Sequence, residues 1–499
     1  MGAFVSTADY LAIDLGASSG RAVVGSFDGQ ALTLSEVHRF PNSPIELGVG
    51  LHWDTPRLFQ EIKVAIGLVH RSGASLAGIG VDTWGVDYGL LDSTGKLLGP
   101  PFHYRDPRTT DMPARAFARM PREKIYARTG IQFLAFNTLY QLLADQHAAD
   151  GRLERADVML FMPDLLHFWL TGIQRSEHTI ASTSQMYDPA AGSWATDILD
   201  AMGLPRHILP AVAEAGTPIG PLSAGVADET GAGPVTVIAP ASHDTASAVA
   251  AVPGVGGDWA YISSGTWSLV GRELTAPIRT PESLAENFTN ERGVGGTIRF
   301  HKNITGLWLL QECQRHWAAH GRERTFESLC EIALDSPPLA AFVDPDDPLF
   351  TGFGDMPARV RAFCNRTGQT PPSSDDGIVR CILESLALKC RVVIDSLEAL
   401  TSPVSTIHIV GGGVQNSLLC QFTADAVARP VFAGPVEATA IGNILTQALA
   451  HQRIASLDDI RSIVRASYRP ALFQPGRAAQ WGEAYGCFRA LLRSGTTGG

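Results

Sequence analysis

The sequence predicts an α/β protein of two domains with a ligand held in a cleft between them, and three observations carry that expectation. At 499 residues the chain exceeds one compact unit, so two domains of about 200 to 250 residues each are expected. Hydrophobic residues make up 45% and charged residues 18%, a mixture able to bury sizeable cores rather than one that stays disordered. A strand, a Ser/Gly turn and a second strand occur twice, near residue 10 and again near residue 260, which suggests a duplicated architecture.

In chain order, apolar residues 10–13 lead into a turn-like stretch at 14–20, and residues 21–27 return as Arg-Ala-Val-Val-Gly-Ser-Phe. That is a hairpin, not a strand-to-helix junction. A further strand at 76–81 runs into Asp-Thr-Trp-Gly-Val-Asp-Tyr and a turn around Ser93, Thr94 and Gly95. Helical material of mixed polarity fills much of 110–170. The apolar run at 234–240 leads to Ser242, His243, Asp244 and Thr245, after which 246–251 has good helix-forming composition, closed by Pro253 and Gly254. A Gly-rich stretch at 254–257 precedes the second hairpin, strands 259–262 and 267–270 around Ser263, Ser264, Gly265 and Thr266. A later strand at 406–410 ends in Gly411, Gly412 and Gly413, and a helix follows from Asn416. The expected division is an N-terminal domain over 9–250, a C-terminal domain over 257–455 and a helical tail over 456–499.

Composition excludes several functions. The formal charge is −11 with no long Lys/Arg block, so neither a nucleic-acid surface nor a membrane-seeking basic face is supported, and a small-molecule partner is expected. The first ten residues lack a basic segment followed by an apolar one, and no apolar run approaches a membrane span; a cytoplasmic protein is expected. Seven cysteines are scattered, without a CxxC pair or His clustering at zinc spacing.

The loop Gly16, Ala17, Ser18, Ser19, Gly20 and Arg21 offers successive backbone N–H groups, two hydroxyls and a cation, all suited to phosphate oxygens. Asp14 before it could hold a magnesium ion through water. Taken alone, the loop is equally an ordinary hairpin. It also fits G-x-S-x-G, but a nucleophile elbow needs a helix after the Ser, and the β-like run 21–27 stands there instead. No Walker A string and no G-x-G-x-x-G after Ile13 exist. Asp244, at the expected first turn of a helix after a buried strand, sits where the helix dipole favours the ionised form that can accept a proton; it could also serve only to stabilise the helix end. In the segment 303–317, Ile304, Leu307, Trp308 and Gln311 follow helical spacing, with Gln311 interrupting an apolar face and Asn303 at the expected cap. On one helix the two polar residues would stand roughly 12 Å apart, enough to touch two ligands, or to be a cap and a core-edge Gln. Trp84 offers a flat face and Gly85 a close backbone approach, either to a sugar ring or within a core. Thr266 and the triple glycine read as ligand contacts or as plain turns.

Taken together, Asp14-Leu15-Gly16-Ala17-Ser18-Ser19-Gly20-Arg21, Asp82-Thr83-Trp84-Gly85-Val86-Asp87, Ser242-His243-Asp244-Thr245, Ser263-Ser264-Gly265-Thr266-Trp267, Lys302-Asn303-Ile304, Gly306-Leu307-Trp308-Leu309-Leu310-Gln311 and Gly411-Gly412-Gly413 resemble, in wording and order, the FGGY carbohydrate kinases of the actin-like ATPase superfamily. The resemblance covers nearly the whole chain. It implies two actin-like (ribonuclease H-like) domains and transfer of phosphate from ATP, with Mg2+, to the 1-hydroxyl of a deoxy-ketose, L-rhamnulose before L-fuculose. A non-catalytic actin-like ATP-binding protein is the other-class alternative. It further implies that Asp244 is the base, that Ala17, Ser18, Ser19, Gly20, Arg21, Thr266, Gln311 and Gly412 bind nucleotide, and that Gly85, His243, Asp244, Thr245 and Asn303 bind sugar. Tyr88 and Thr305 depart from the family's usual Phe and apolar residue. Cys364 and Cys381 match a cysteine pair linked in some members, against which a reducing cytoplasm argues.

Overall fold

The computed structural model describes residues 7–48, 50–148 and 150–495, which form two compact units. The first holds the residues up to Pro253 together with Glu273–Phe300 and Ala438–Tyr468, and the second holds Gly254–Arg272, His301–Glu437 and the residues from Arg469 onward. The units are therefore not contiguous in sequence, whereas the sequence alone suggests a division at a single Gly-rich boundary. The physical reason lies in two returning segments. Helix Ala438–Ala450 buries its apolar face on the first unit's sheet, and Glu273–Phe300 threads back through strand Thr289–Arg292.

In the first unit, strands β1 (Ala8–Leu15), β2 (Ser19–Phe27), β3 (Leu32–Pro41), β4 (Leu76–Thr83), β5 (Thr217–Pro221) and β6 (Thr236–Ala239) form a sheet in the order β5-β6-β4-β1-β2-β3. The hairpin expected at the N-terminus is present, β1 running antiparallel to β2 with Asp14 opposite Arg21 and Leu15 opposite Gly20. Strand β1 also lies parallel to β4, Asp14 beside Asp82. Its residues are buried almost without interruption, as befits a central strand covered on both faces, where a continuous apolar run replaces alternation.

Among the described residues the second sheet has seven strands: Thr289–Arg292 at one edge, followed by β9 (Ile298–Thr305), β8 (Trp267–Leu274), β7 (Trp259–Ser264), β10 (Thr406–Val410), β11 (Val431–Ala433) and β12 (Ala471–Phe473). Here β7 and β8 are antiparallel and β7, β10 and β11 parallel. Both sheets thus place a hairpin beside parallel strands reached by crossovers. The duplication suggested by the two Ser/Gly turns is a duplication of topology.

One expected element differs. Asn303 is not a helix cap: residues 298–305 are strand β9, and the helix runs Trp308–Ala319. Ile304 shares helical spacing with Leu307 and Trp308 only by coincidence, because Ile298, Phe300 and Ile304 are the buried apolar set of a period-2 strand. Gly306 makes the break, since a Cβ there would stand 2.6 Å from the Gly265 carbonyl oxygen. The strand end is pinned by Asp346, whose carboxylate accepts the Thr305 N–H at 2.7 Å. Asp346 and Asp344 in turn hold the buried Lys389 ammonium at 3.0 and 2.7 Å.

All seven cysteines are free thiols. Cys364 and Cys381 are buried, and their mutual interaction lowers the first thiol's pKa and raises the second's. Among the described residues, no helix is long and apolar enough to cross a membrane.

Candidate active site

The first unit gathers three carboxylates at the ends of its central strands. The β1–β2 turn is closed by Gly16 N–H donating to the Ser19 carbonyl at 2.9 Å, and is tied to Asn42, whose side-chain amide donates to the Gly16 carbonyl at 2.8 Å. Ser18 and Ser19 are exposed at its tip. Arg21 folds back on Asp14, donating through Nε and Nη2 to one carboxylate oxygen at 2.9 and 2.7 Å. Gly20 is buried, and a Cβ there would stand 2.3 Å from the Phe40 ring. Its side-chain space therefore belongs to the core, and only its backbone can meet a ligand.

Asp82, next to Asp14 in β4, is a site residue that sequence reasoning did not single out. It is fully buried, one oxygen accepts from Asn443 at 2.6 Å, and the other has no hydrogen-bond partner among the described residues. Burial first, then the charge of Asp14, push its carboxyl well above the usual range, and Asp244 adds to the effect. Asn443 is carried by the C-terminal helix Ala438–Ala450 and is itself steadied by Gln447 at 2.7 Å. Glycines admit this buried amide pair, because a Cβ on Gly80 would stand 2.5 Å from the Asn443 amide oxygen and one on Gly78 2.8 Å from that of Gln447.

Asp244 is the first residue of the short helix Asp244–Ala250 that follows β6, with His243 at the cap. Its Oδ1 accepts from the backbone and the hydroxyl of Thr245. The sequence suggests that the helix end favours the ionised form. In the structure burial dominates and raises the carboxyl's pKa, with His243 opposing and Asp14 adding to the rise. His243 Nε2 stands 3.5 Å from Asp244 Oδ1. The backbone of this segment is held by β4 and by Glu177: Thr83 N–H donates to the Ser242 carbonyl at 2.9 Å, Ser242 N–H to Glu177 at 3.0 Å, and His243 N–H to Thr179 Oγ1 at 3.1 Å. Gly85 borders the same space, since a Cβ on it would stand 3.4 Å from His243 Nε2. Asp14, Gly85, His243, Asp244 and Thr245 are thus brought together in this unit.

Trp84 is buried, tilted against Trp53 at 3.9 Å between ring centres, and both indole N–H groups donate to Asp87, at 3.0 and 2.6 Å. Asp87 also accepts from Gln141 at 2.7 Å and from the Tyr104 backbone at 3.1 Å, and its burial raises its pKa to about 6. Tyr88 is buried and donates its hydroxyl to Asp145 at 2.6 Å, where Arg108 and Arg152 also bind. Its hydroxyl serves the scaffold. Tyr88→Phe is accordingly expected to lower unfolding free energy by about 1–2 kcal/mol while leaving the KM of either substrate within twofold of wild type, read from urea melts and steady-state kinetics. A large KM change would give that hydroxyl a ligand instead.

The second unit has its own polar cluster around the β7–β8 turn. Thr266 Oγ1 donates to the Gln311 amide oxygen at 3.2 Å, and the N–H groups of Gly306 and Trp308 donate to the Thr266 carbonyl at 3.1 and 3.3 Å. The glycine triplet closes against the same turn. A Cβ on Gly411 would stand 3.0 Å from the Ser264 carbonyl oxygen and one on Gly413 2.0 Å from its hydroxyl, but one on Gly412 would meet nothing within 4 Å. Two of the glycines let the loop pack on Ser264, and the third faces open space where a flat ring can lie on backbone. Asn303 lies on β9, half-buried.

Among the described residues no group of three or more His, Cys, Asp or Glu side chains is gathered as a metal cluster. Oxygen donors from one carboxylate do suit magnesium, which usually keeps several waters and takes further oxygens from substrate phosphates. Asp82, with one unpartnered oxygen, stands beside Asp14 on the neighbouring strand.

Comparison with known proteins accords with this geometry. Residues 9–251 match the FGGY family of carbohydrate kinases, N-terminal domain, and residues 260–451 match the C-terminal domain of the same family. A rhamnulokinase from Bacteroides thetaiotaomicron is 44% identical over 97% of this chain and 99% of its own. One from Bacillus subtilis is 37% identical over 93% and 95%. Among solved structures, a ligand-bound xylulose kinase from Lactobacillus acidophilus superposes with a TM-score of 0.80 at 16% identity, covering 97% of this chain and 98% of the other. The glycerol kinase of Plasmodium falciparum with ADP gives 0.75 at 16% identity over 98% of each chain. At such identities the structural likeness speaks to the two-domain, actin-like fold.

Proposed function

This chain belongs to the FGGY family of carbohydrate kinases, and from that membership we propose that it phosphorylates L-rhamnulose at the 1-hydroxyl with ATP, giving L-rhamnulose 1-phosphate and ADP in L-rhamnose degradation. The observation that carries the choice of sugar is the 44% identity to a rhamnulokinase along almost the entire length of both chains. An ATP-consuming step in sugar degradation fits the cytoplasm.

Asp244 takes the proton of the 1-hydroxyl as that oxygen bonds to the γ-phosphorus, and the bond from phosphorus to the β-phosphate oxygen breaks to release ADP. His243, Thr245, Gly85 and Asn303 hold the sugar. The loop of Ala17, Ser18, Ser19, Gly20 and Arg21 receives the phosphates, through backbone alone at Gly20, while Thr266, Gln311 and Gly412 take the rest of the nucleotide. Asp14, anchored by Arg21, would hold Mg2+, which when bound offsets charge on the β- and γ-phosphates. Positioned donors and a fixed base supply most of what phosphoryl transfer needs, since the transition state is loose and its charge spreads over the transferred oxygens.

The test is magnesium-dependent ADP release with L-rhamnulose, L-fuculose, L-ribulose and D-xylulose offered separately. The expected result is the highest kcat/KM for L-rhamnulose. A higher value for another ketose would keep the kinase chemistry and reject the substrate, and no stimulation by any sugar would reject both in favour of an ATP-binding protein without sugar chemistry.

A further inference from the structure

His243 has two ring nitrogens, and only one faces the space bordered by Gly85 and Asp244. The other, Nδ1, is gripped from behind by two groups that lie far along the chain. Arg299 Nη2 stands 3.0 Å from Nδ1 in hydrogen-bonding geometry, and the same Nη2 donates to Glu291 Oε2 at 2.9 Å. Glu291 Oε2 itself lies 3.2 Å from Nδ1. Arg299 is fully buried and Glu291 nearly so. The guanidinium is further fixed by Nε donating to the Arg292 carbonyl at 3.0 Å.

A guanidinium has donors and no acceptor, and it does not lose its proton in a protein. A ring nitrogen hydrogen-bonded to it must therefore offer a lone pair. In the neutral ring that places the hydrogen on the opposite nitrogen, and which nitrogen carries it is set by the partner of the other. We infer that Arg299, itself held by Glu291, is a positioning residue that fixes His243 in the Nε2–H form, so that the site presents a donor rather than an acceptor between Gly85 and Asp244. This rests on the reading of His243 as a sugar contact.

The chemical consequence is a division of labour between neighbouring side chains. Asp244 must accept a proton from the hydroxyl that attacks. A bare Nε2 at 3.5 Å from its carboxylate would face it lone pair to lone pair and could itself take a hydrogen bond from that hydroxyl, competing for the proton. With Nε2 protonated the ring donates instead, to the carboxylate when no sugar is present and to a non-reacting oxygen of the sugar when one is. Gly85 keeps the approach open, as any side chain there would begin 3.4 Å from Nε2. Without Arg299, Nδ1 would acquire the hydrogen and donate it to Glu291, a carboxylate at hydrogen-bonding distance, and Nε2 would become an acceptor.

The tautomer is read directly in the wild-type protein. Enzyme labelled with 15N-histidine, with the His243 signals assigned by their loss in His243→Asn, is expected to show a protonated, pyrrole-type Nε2 and a pyridine-type Nδ1 at pH 8. The reverse pattern overturns the inference whatever the kinetics show. Kinetics give the second arm. Arg299→Met is expected to raise the KM for the ketose at least tenfold and move the KM for ATP less than twofold, with the 15N pattern reversed and with Arg299→Lys intermediate. A folded Arg299→Met with an unchanged ketose KM overturns it as well. If Arg299→Met fails to fold, the wild-type spectrum still decides. Failure of the kinase reading is seen separately, as wild-type enzyme that releases no ADP with any ketose.

Discussion

Asp244→Ala is expected to lower kcat by roughly 100-fold or more, the size commonly lost with a general base, while affinity for ATP stays close to wild type. Removing the carboxylate leaves the phosphate loop, its Asn42 tether and the Asp14–Arg21 pair untouched. ADP release under saturating substrates and calorimetric titration with a non-hydrolysable ATP analogue measure the two quantities. Turnover near wild type would remove Asp244 from the base role. The same residue sets a pH dependence. Burial holds its carboxyl above the ordinary Asp range, and only the ionised form can accept a proton, so kcat/KM falls as pH drops through this raised value and the acid limb sits above where an unperturbed Asp would put it. The sign for stability is opposite. A carboxyl whose folded pKa is raised adds stability that is complete below the unfolded pKa and is lost as pH rises through the folded one. Wherever Asp244 is ionised its charge is therefore a burden on the fold, and Asp244→Ala should melt no lower than wild type even as it loses activity.

Much of this architecture was legible because short-range physics dictated it. A Ser/Gly turn between two apolar runs makes a hairpin in either unit, and a polar residue just ahead of small helix formers marks the start of the Asp244 helix. The proposed site residues Gly85, His243, Asp244, Thr245 and Thr266 lie beside those punctuation marks, which left each of them open between a ligand contact and a structural part until the family resemblance supplied a role. What stayed hidden depends on distant segments. Glu291 and Arg299 meet His243 only because Glu273–Phe300 returns to the first unit, and nothing around them in sequence suggests a buried ion pair. Asp82 reads as one more strand residue until Asn443, hundreds of positions later, is seen to supply its partner. The helix that carries Gln311 is present but starts at Trp308 and not at Asn303, for a different reason. Three apolar residues satisfy helical spacing across a strand end, and Gly306, the residue that separates strand from helix, carries no apolar signal of its own. Gly20 shows a further ambiguity, since a glycine in a phosphate loop can be demanded by the ring packed behind it.

Gly442→Ala is expected to cost roughly 3 kcal/mol of unfolding free energy, at the upper end of what one added methyl does in a packed core. The residue sits in helix Ala438–Ala450, where that helix crosses the one bearing Asp244. A Cβ on Gly442 would stand 1.8 Å from the Ser247 carbonyl oxygen and 2.5 Å from its carbon. Both atoms are backbone, so no rotamer change relieves the overlap, and the helices must part by more than about 1 Å to regain contact distance. Parting them reaches the chemistry from both sides. Ser247 is three residues beyond Asp244 on one helix, and Asn443, next to Gly442 on the other, holds Asp82 and the Gly80 carbonyl. The variant should therefore lose kcat by more than its folded fraction explains. Gly225→Ala provides the contrast, because a Cβ in the exposed helix Ala224–Thr230 meets nothing within 4 Å and should add about 0.5–1 kcal/mol through the helix propensity gained. Urea melts at constant slope measure both. A Gly442→Ala protein as stable and active as wild type would mean that the crossing has slack that its geometry denies.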